Sequence, residues 1–126
     1  MAQGILTGKY LPGKKAPAGS RATDKGSGAN MIKGWMREEV LEAVQKLKPI
    51  ADGVGLTMGQ LAIAWVLQNP NVSSAIMGAT KPKQVKENVK ASGVKLDADV
   101  MKAIDAALGT LPERDAKKNE SPNPRA

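Results

Sequence analysis

The chain contains no cysteine and no histidine. Without cysteine there is no disulfide framework, no thiolate metal ligand and no thiol nucleophile. Without histidine the commonest metal ligand and the commonest general base near neutral pH are both missing. Phenylalanine is absent too, and aromatics make up only 2% of the residues. A self-sufficient core of this size ordinarily draws on more large side chains, so the shortage points to an incomplete unit. The longest apolar run, Leu61 to Leu67, is too short to span a bilayer. No run resembles a signal peptide, so a cytoplasmic location is the default expectation, with neither membrane nor metal among the partners.

What is present fits one ordinary domain. The 126 residues are 41% hydrophobic and 25% charged, without collagen-like or disordered bias. A chain of this length can bury roughly two-thirds of its unfolded surface. Its net charge is +7, with a pI of about 9.8. Such an excess suits nucleic acid, an anionic surface or the phosphates of a small ligand. The distribution narrows this: Lys14, Lys15, Lys25, Lys33, Lys46 and Lys48 are scattered, and no aromatic residues interleave with them as a single-strand binder requires. For most lysines a solvated basic surface is the better reading.

Along the chain, MAQGILTG reads as a short apolar turn pivoting on Gly4 and Gly8. From Lys9 to about Lys33, the prolines and glycines at 12, 13, 17, 19, 26 and 28 predict an irregular loop. Helical periodicity starts near Met36, with Val40, Leu41, Val44 and Leu47 on one face; Pro49 is expected to kink or interrupt it, and Gly53 with Gly55 to end it. Thr57 and Gln60 form a capping-box pattern before the apolar helix LAIAWVLQ, which Asn69-Pro70 stops. Val72 to Met77 (VSSAIM) predicts one strand, followed by a helix from Pro82 to about Ala91. A last helix follows Asp97, with Val100, Met101, Ile104 and Leu108 inward. Residues 112–126 are polar and carry prolines, so a disordered tail is expected after a unit spanning 1–111. One strand cannot make a sheet, and the helices lack partners, which points to a truncated chain.

The junction IMGATKPKQVKEN has the makings of a phosphate seat: a strand end, a loop of small residues and a helix N-terminus gather free N–H groups and a positive dipole end. Gln84, Glu87 and Asn88 share one face of that helix and could hydrogen-bond an adenosine. Most such junctions are only structural, and Lys83, Lys86 and Lys90 read best as a solvated face.

Four motifs in one order carry a resemblance. Gln3 to Tyr10 (QGILTGKY) resembles the "GxLTGKY" turn of the aldo-keto reductases, in the branch shared with potassium-channel β-subunits. Ser20-Arg21 resembles the Ser-Arg pair of that branch, Leu56 to Pro70 the helix before the last barrel strand, and Val72 to Asn88 the last strand with its cofactor-binding helix. The match covers nearly all of residues 1–111.

The resemblance implies an α/β chain forming the C-terminal part of a (β/α)8 barrel, mostly helical with one strand at about 72–77. It implies NADPH as cofactor. Ala2, Gly4 and Leu6 would line the loop over the pyrophosphate, Lys9 would pair with phosphate, and Arg21 would meet the 2′-phosphate. Gly78, Ala79 and Thr80 would offer backbone donors, and Gln84, Glu87 and Asn88 would hold ribose phosphate and adenine. Many relatives carry Lys-Ser after the last strand and Arg on the helix, where this chain has Gly78, Ala79 and Gln84. NADPH preference then leans on Arg21 and Lys9, and NADH stays open.

The family's hydride-transfer site uses an Asp, a Tyr, a Lys and a His from the first half of the barrel. None of these is here: histidine is absent, and Tyr10 belongs to the turn. The expected function is therefore the cofactor-binding portion of a reductase of aldehydes or ketones, inactive alone, with carbonyl substrate bound only by the intact barrel. Two alternatives stand beside it: a non-catalytic module binding nucleotide or a partner chain, and a basic nucleic-acid binder, against which the charge scatter counts.

Overall fold

In a computed structural model the described residues are 1–119. A 3-10 turn at Ala2–Thr7 and another at Arg21–Thr23 precede five helices: α1 (Gly28–Lys33), α2 (Glu38–Gly53), α3 (Met58–Leu67), α4 (Pro82–Val89) and α5 (Ala98–Leu108). A last 3-10 turn spans Ala116–Asn119.

Helix α2 is the spine because its apolar face serves two clusters in succession. Val40, Leu41 and Val44 pack with Ile5, Tyr10 and Ile32, while one turn further Leu47 and Ala51 pack with Leu61 and Ile104. Half-buried Leu6 and Met58 touch both clusters and join them. Each fully buried Leu or Ile contributes about 1.5–3 kcal/mol. Helix α5 lies along α2, and α3 packs on the N-terminal turn, α2 and α4.

The caps follow the sequence. The Thr57 hydroxyl accepts from Gln60 N–H at 3.2 Å, and the Gln60 side chain accepts from Thr57 N–H at 3.0 Å. Asp97 Oδ1 accepts from Val100 N–H at 2.8 Å. Between α2 and α3 the chain bends by 89°, with Gly55 at φ +68° and Leu56 N–H returning to the Ala51 carbonyl at 2.9 Å.

Three expectations need correction. No strand forms at 72–77 or elsewhere among the described residues. A parallel strand exists through ladder hydrogen bonds to neighbours, and these residues supply none, so β-branched composition alone leaves VSSAIM unpaired with Ile76 97% exposed. The stretch from Lys9 to Lys33 is not wholly irregular. Asp24 Oδ2 accepts from Gly28 N–H at 3.0 Å and helps open α1; a Cβ at Gly28 would meet that oxygen at 2.5 Å, so glycine permits the close approach rather than breaking the helix. Finally, Pro49 does not interrupt α2, which continues to Gly53. Pro49 lies on the exposed side, where water can satisfy the carbonyl it leaves unpaired.

After α5, Leu111 packs on the first cluster, and Arg114 pairs with Asp105 at 2.7 Å. The Asp115 N–H, and after it the Lys118 ammonium, hold the Glu113 carboxyl below its ordinary pKa. Of the tail expected to be disordered over 112–126, residues 120–126 lie outside the described residues. Among the described residues no single helix is long and apolar enough to cross a membrane.

Candidate functional site

An open cleft of about 1960 Å³ runs between the N-terminal turn, the segment from Gly19 to Gly28, the start of α3, and the stretch from Ile76 into α4. That is larger than the roughly 300–1,000 Å³ usual for a compact small-molecule site.

The turn is held from below. Ile5 and Tyr10 are each 1% exposed, and the Gln45 amide on α2 donates to the carbonyls of Gly8 and Tyr10, both at 3.1 Å. Above these supports the backbone passes through left-handed conformations at Ala2 (φ +44°), Gln3 (φ +57°), Gly4 (φ +100°) and Gly8 (φ +73°). For Ala2 and Gln3 such a conformation costs about 1–3 kcal/mol each, a strain that concentrates at ligand clamps. Lys9 stays exposed beside buried Tyr10, its ammonium 5.1 Å from the Tyr10 ring centroid and 3.8 Å from where a Gly4 Cβ would stand. A Cβ at Gly4 would make only ordinary contact there, so it is the φ of +100° that favours glycine.

On the facing wall, Arg21 donates to the Gln3 side-chain oxygen. Neither Arg21 nor Lys9 pairs with a carboxylate among the described residues. Beside Arg21, the hydroxyl of Ser20 is buried at the cleft without a hydrogen-bond partner in the described residues. Two cations without a carboxylate partner among the described residues, an orphaned hydroxyl and a backbone without Cβ at Gly4 and Gly8 together suit a phosphate-bearing ligand.

At the far end, Gly78, Ala79 and Thr80 are exposed on the cleft wall ahead of α4. The Gln84 side-chain oxygen accepts from Thr80 N–H at 2.7 Å, Thr80 hydroxyl at 3.2 Å and Lys81 N–H at 3.2 Å. Gln84 therefore caps the helix in place of a short polar residue at Lys81. Glu87 and Asn88 follow one turn on, both half-buried at the cleft.

The fold brings ten of the eleven sequence candidates to this cleft: Ala2, Gly4, Lys9, Arg21, Gly78, Ala79, Thr80, Gln84, Glu87 and Asn88. Leu6 does not line it; its side chain packs between the two clusters. Period-based reading missed Gln3, whose side chain meets Arg21, because nothing in a turn sequence marks a bond across 18 residues. It also missed Met31 and Trp35, exposed apolar side chains on the same cleft.

The geometry gives a helical shell around a cleft with two loop cations and a helix N-terminus, and the sequence comparisons say to which family it belongs. The profile described as the Aldo/keto reductase family matches residues 1–108, and the chain belongs to that family. This makes it part of a (β/α)8 barrel. Among its relatives is a protein of Arabidopsis thaliana named as a probable voltage-gated potassium channel subunit beta, 43% identical over 116 residues, covering 90% of this chain and 35% of the relative. One from Oryza sativa subsp. japonica with the same name matches equally. A third, from Schizosaccharomyces pombe and named a putative voltage-gated potassium channel subunit beta, is 44% identical over 112 residues, covering 86% of this chain and 32% of its own length. The chain thus spans about a third of the length of these curated relatives.

Proposed function

We propose that this chain is the NADPH-binding portion of a barrel that reduces aldehydes or ketones. The observation that carries the reading is the convergence of Lys9, Arg21 and the Gly78-to-Asn88 segment, far apart in sequence, on one cleft. Lys9 and Arg21 would neutralise the phosphates, with the orphaned Ser20 hydroxyl as an added donor. The small residues at 78–80 would let the ligand approach the backbone ahead of α4, and Glu87 and Asn88 would accept and donate to the adenosine. The cofactor, when bound, supplies hydride to the carbonyl carbon. Proton donation to the substrate belongs to side chains this chain does not contain, so the chain alone binds without turnover. A cytoplasmic location goes with this proposal.

A second reading is a module that binds nucleotide and regulates a partner without reducing anything. The names of the relatives, channel β-subunits, favour it. Titration of the full chain with NADPH and NADH, followed by nicotinamide fluorescence, tests the shared core of both. Saturable binding, tighter for NADPH and weakening with salt, is the expected result. Absence of binding by either nucleotide overturns both readings. NADPH oxidation by a longer gene product that includes any in-frame sequence upstream of Met1 separates them: turnover with an aromatic aldehyde supports the reductase, and binding without turnover supports the module.

A further inference from the structure

Helix α4 carries Gln84, Glu87 and Asn88 to the cleft, yet none of its own residues is buried. Its valines, Val85 and Val89, are 54% and 67% exposed. Without an apolar side chain sunk into the clusters, its place is decided by its contact with α3. The polar link across that contact is Gln60. This residue is 6% exposed, and both ends of its amide are engaged. The oxygen accepts from Thr57 N–H at 3.0 Å, while the nitrogen donates to the Glu87 carbonyl at 2.9 Å and approaches Glu87 Oε2 at 3.4 Å. The other oxygen of the Glu87 carboxylate accepts from the Lys90 ammonium at 3.0 Å.

We propose that Gln60 is a positioning residue for the adenosine end of the ligand: through one buried amide it fixes the height of α4 against α3 and the aim of Glu87 and Asn88 into the cleft. The inference rests on the reading that the cleft holds a dinucleotide. A buried donor that loses its acceptor keeps the full cost of desolvation, so the amide holds the Glu87 carbonyl firmly. The chain beyond α4 is tied separately, by buried Ala91 and by the Gln68 side chain, which donates to the Val94 carbonyl at 3.1 Å and accepts from Leu96 N–H at 3.2 Å, so Gln60 is the tie at the level of Glu87. Because Thr57 engages only the oxygen, the two halves of the amide separate chemically. Gln60→Glu keeps the acceptor that caps α3 but sets a carboxylate against the Glu87 carbonyl and carboxylate. Gln60→Met keeps the length and removes both functions.

The test is calorimetric titration of adenosine 2′,5′-bisphosphate into the full chain and the two variants, at neutral and at acidic pH. At neutral pH both variants are expected to bind about tenfold more weakly than the parent, the loss of a buried hydrogen bond. As the pH falls, Gln60→Glu alone recovers relative to the parent, because a protonated carboxyl can donate to the Glu87 carbonyl while Gln60→Met cannot. Variants that bind as tightly as the parent overturn the proposal. So does a Gln60→Glu variant that shows no recovery, since that is the behaviour of a cap with no part in placing α4. Should Gln60→Met fail to fold, the acid recovery of Gln60→Glu decides alone. A parent that binds neither this probe nor NADPH overturns the dinucleotide reading itself, a result distinct from variants that match a binding parent.

Discussion

The side-chain oxygen of Gln84 accepts from the backbone N–H of Thr80 at 2.7 Å and from that of Lys81 at 3.2 Å, so a residue on the cleft wall also closes the N-terminus of α4. An acceptor here occupies N–H groups that a phosphate would otherwise use.

It follows that Gln84→Arg, which withdraws the acceptor and brings a guanidinium to the cleft, tightens NADPH by about tenfold and NADH by less. Competition titration of the two nucleotides measures the ratio. Equal gains for both would show that the 2′-phosphate lies away from α4.

On the proposed reading, Arg21 is expected to be a second determinant of that ratio. Arg21→Ala is expected to weaken NADPH by about tenfold or more and NADH only slightly, since a charge-assisted bond to phosphate is worth about 1.5–3 kcal/mol. Arg21→Lys should restore part of the loss, the planar fork being replaced by a single ammonium. The Gln3 side chain, freed of its partner, offers a second readout: its amide resonances shift in both variants.

Thr57 tests the cap of α3. Thr57→Ala removes the hydroxyl that accepts from Gln60 N–H and should cost about 1 kcal/mol. In urea the midpoint falls while the slope stays unchanged, because the surface exposed on unfolding is the same. A change in slope would mean that α3 is already loosened in the folded chain.

Ile76 tests the unpaired segment. At 97% exposure, Ile76→Lys should leave stability within about 0.5 kcal/mol of the parent. Leu61→Ala, 2% exposed in the second cluster, should cost about 2–5 kcal/mol. Sedimentation should also show less self-association for Ile76→Lys, since a charge interrupts an unpaired apolar stretch. A large loss of stability at Ile76 would mean that the side chain packs in solution.

Local chemistry was readable one residue at a time. The Thr57–Gln60 box and the Asp97 cap depend on neighbours three positions apart, so spacing suffices to find them. The apolar face of α2 follows from the positions of Val40, Leu41, Val44 and Leu47, and the candidates for the cleft from motifs in one order. VSSAIM fails as a strand because β-propensity describes a fit to a pleated surface, and no neighbouring strand is present among the described residues to make one. Gly28 fails as a breaker because its neighbour in space, the Asp24 carboxylate, cannot be inferred from composition.

The sequence by itself determined helices α2 to α5, the Thr57 and Asp97 caps, the lack of thiol and imidazole chemistry, and the family to which the chain belongs, because these depend on residue type and short spacing. Only the tertiary structure decided that Leu6 turns into the core while Lys9 and Arg21 face a common cleft. It alone placed Gln3 against Arg21 and joined Gln60 to Glu87 across 27 residues. Such pairings are set by how α2, α3 and the N-terminal turn share buried surface, a balance over the whole packed chain that no local window contains.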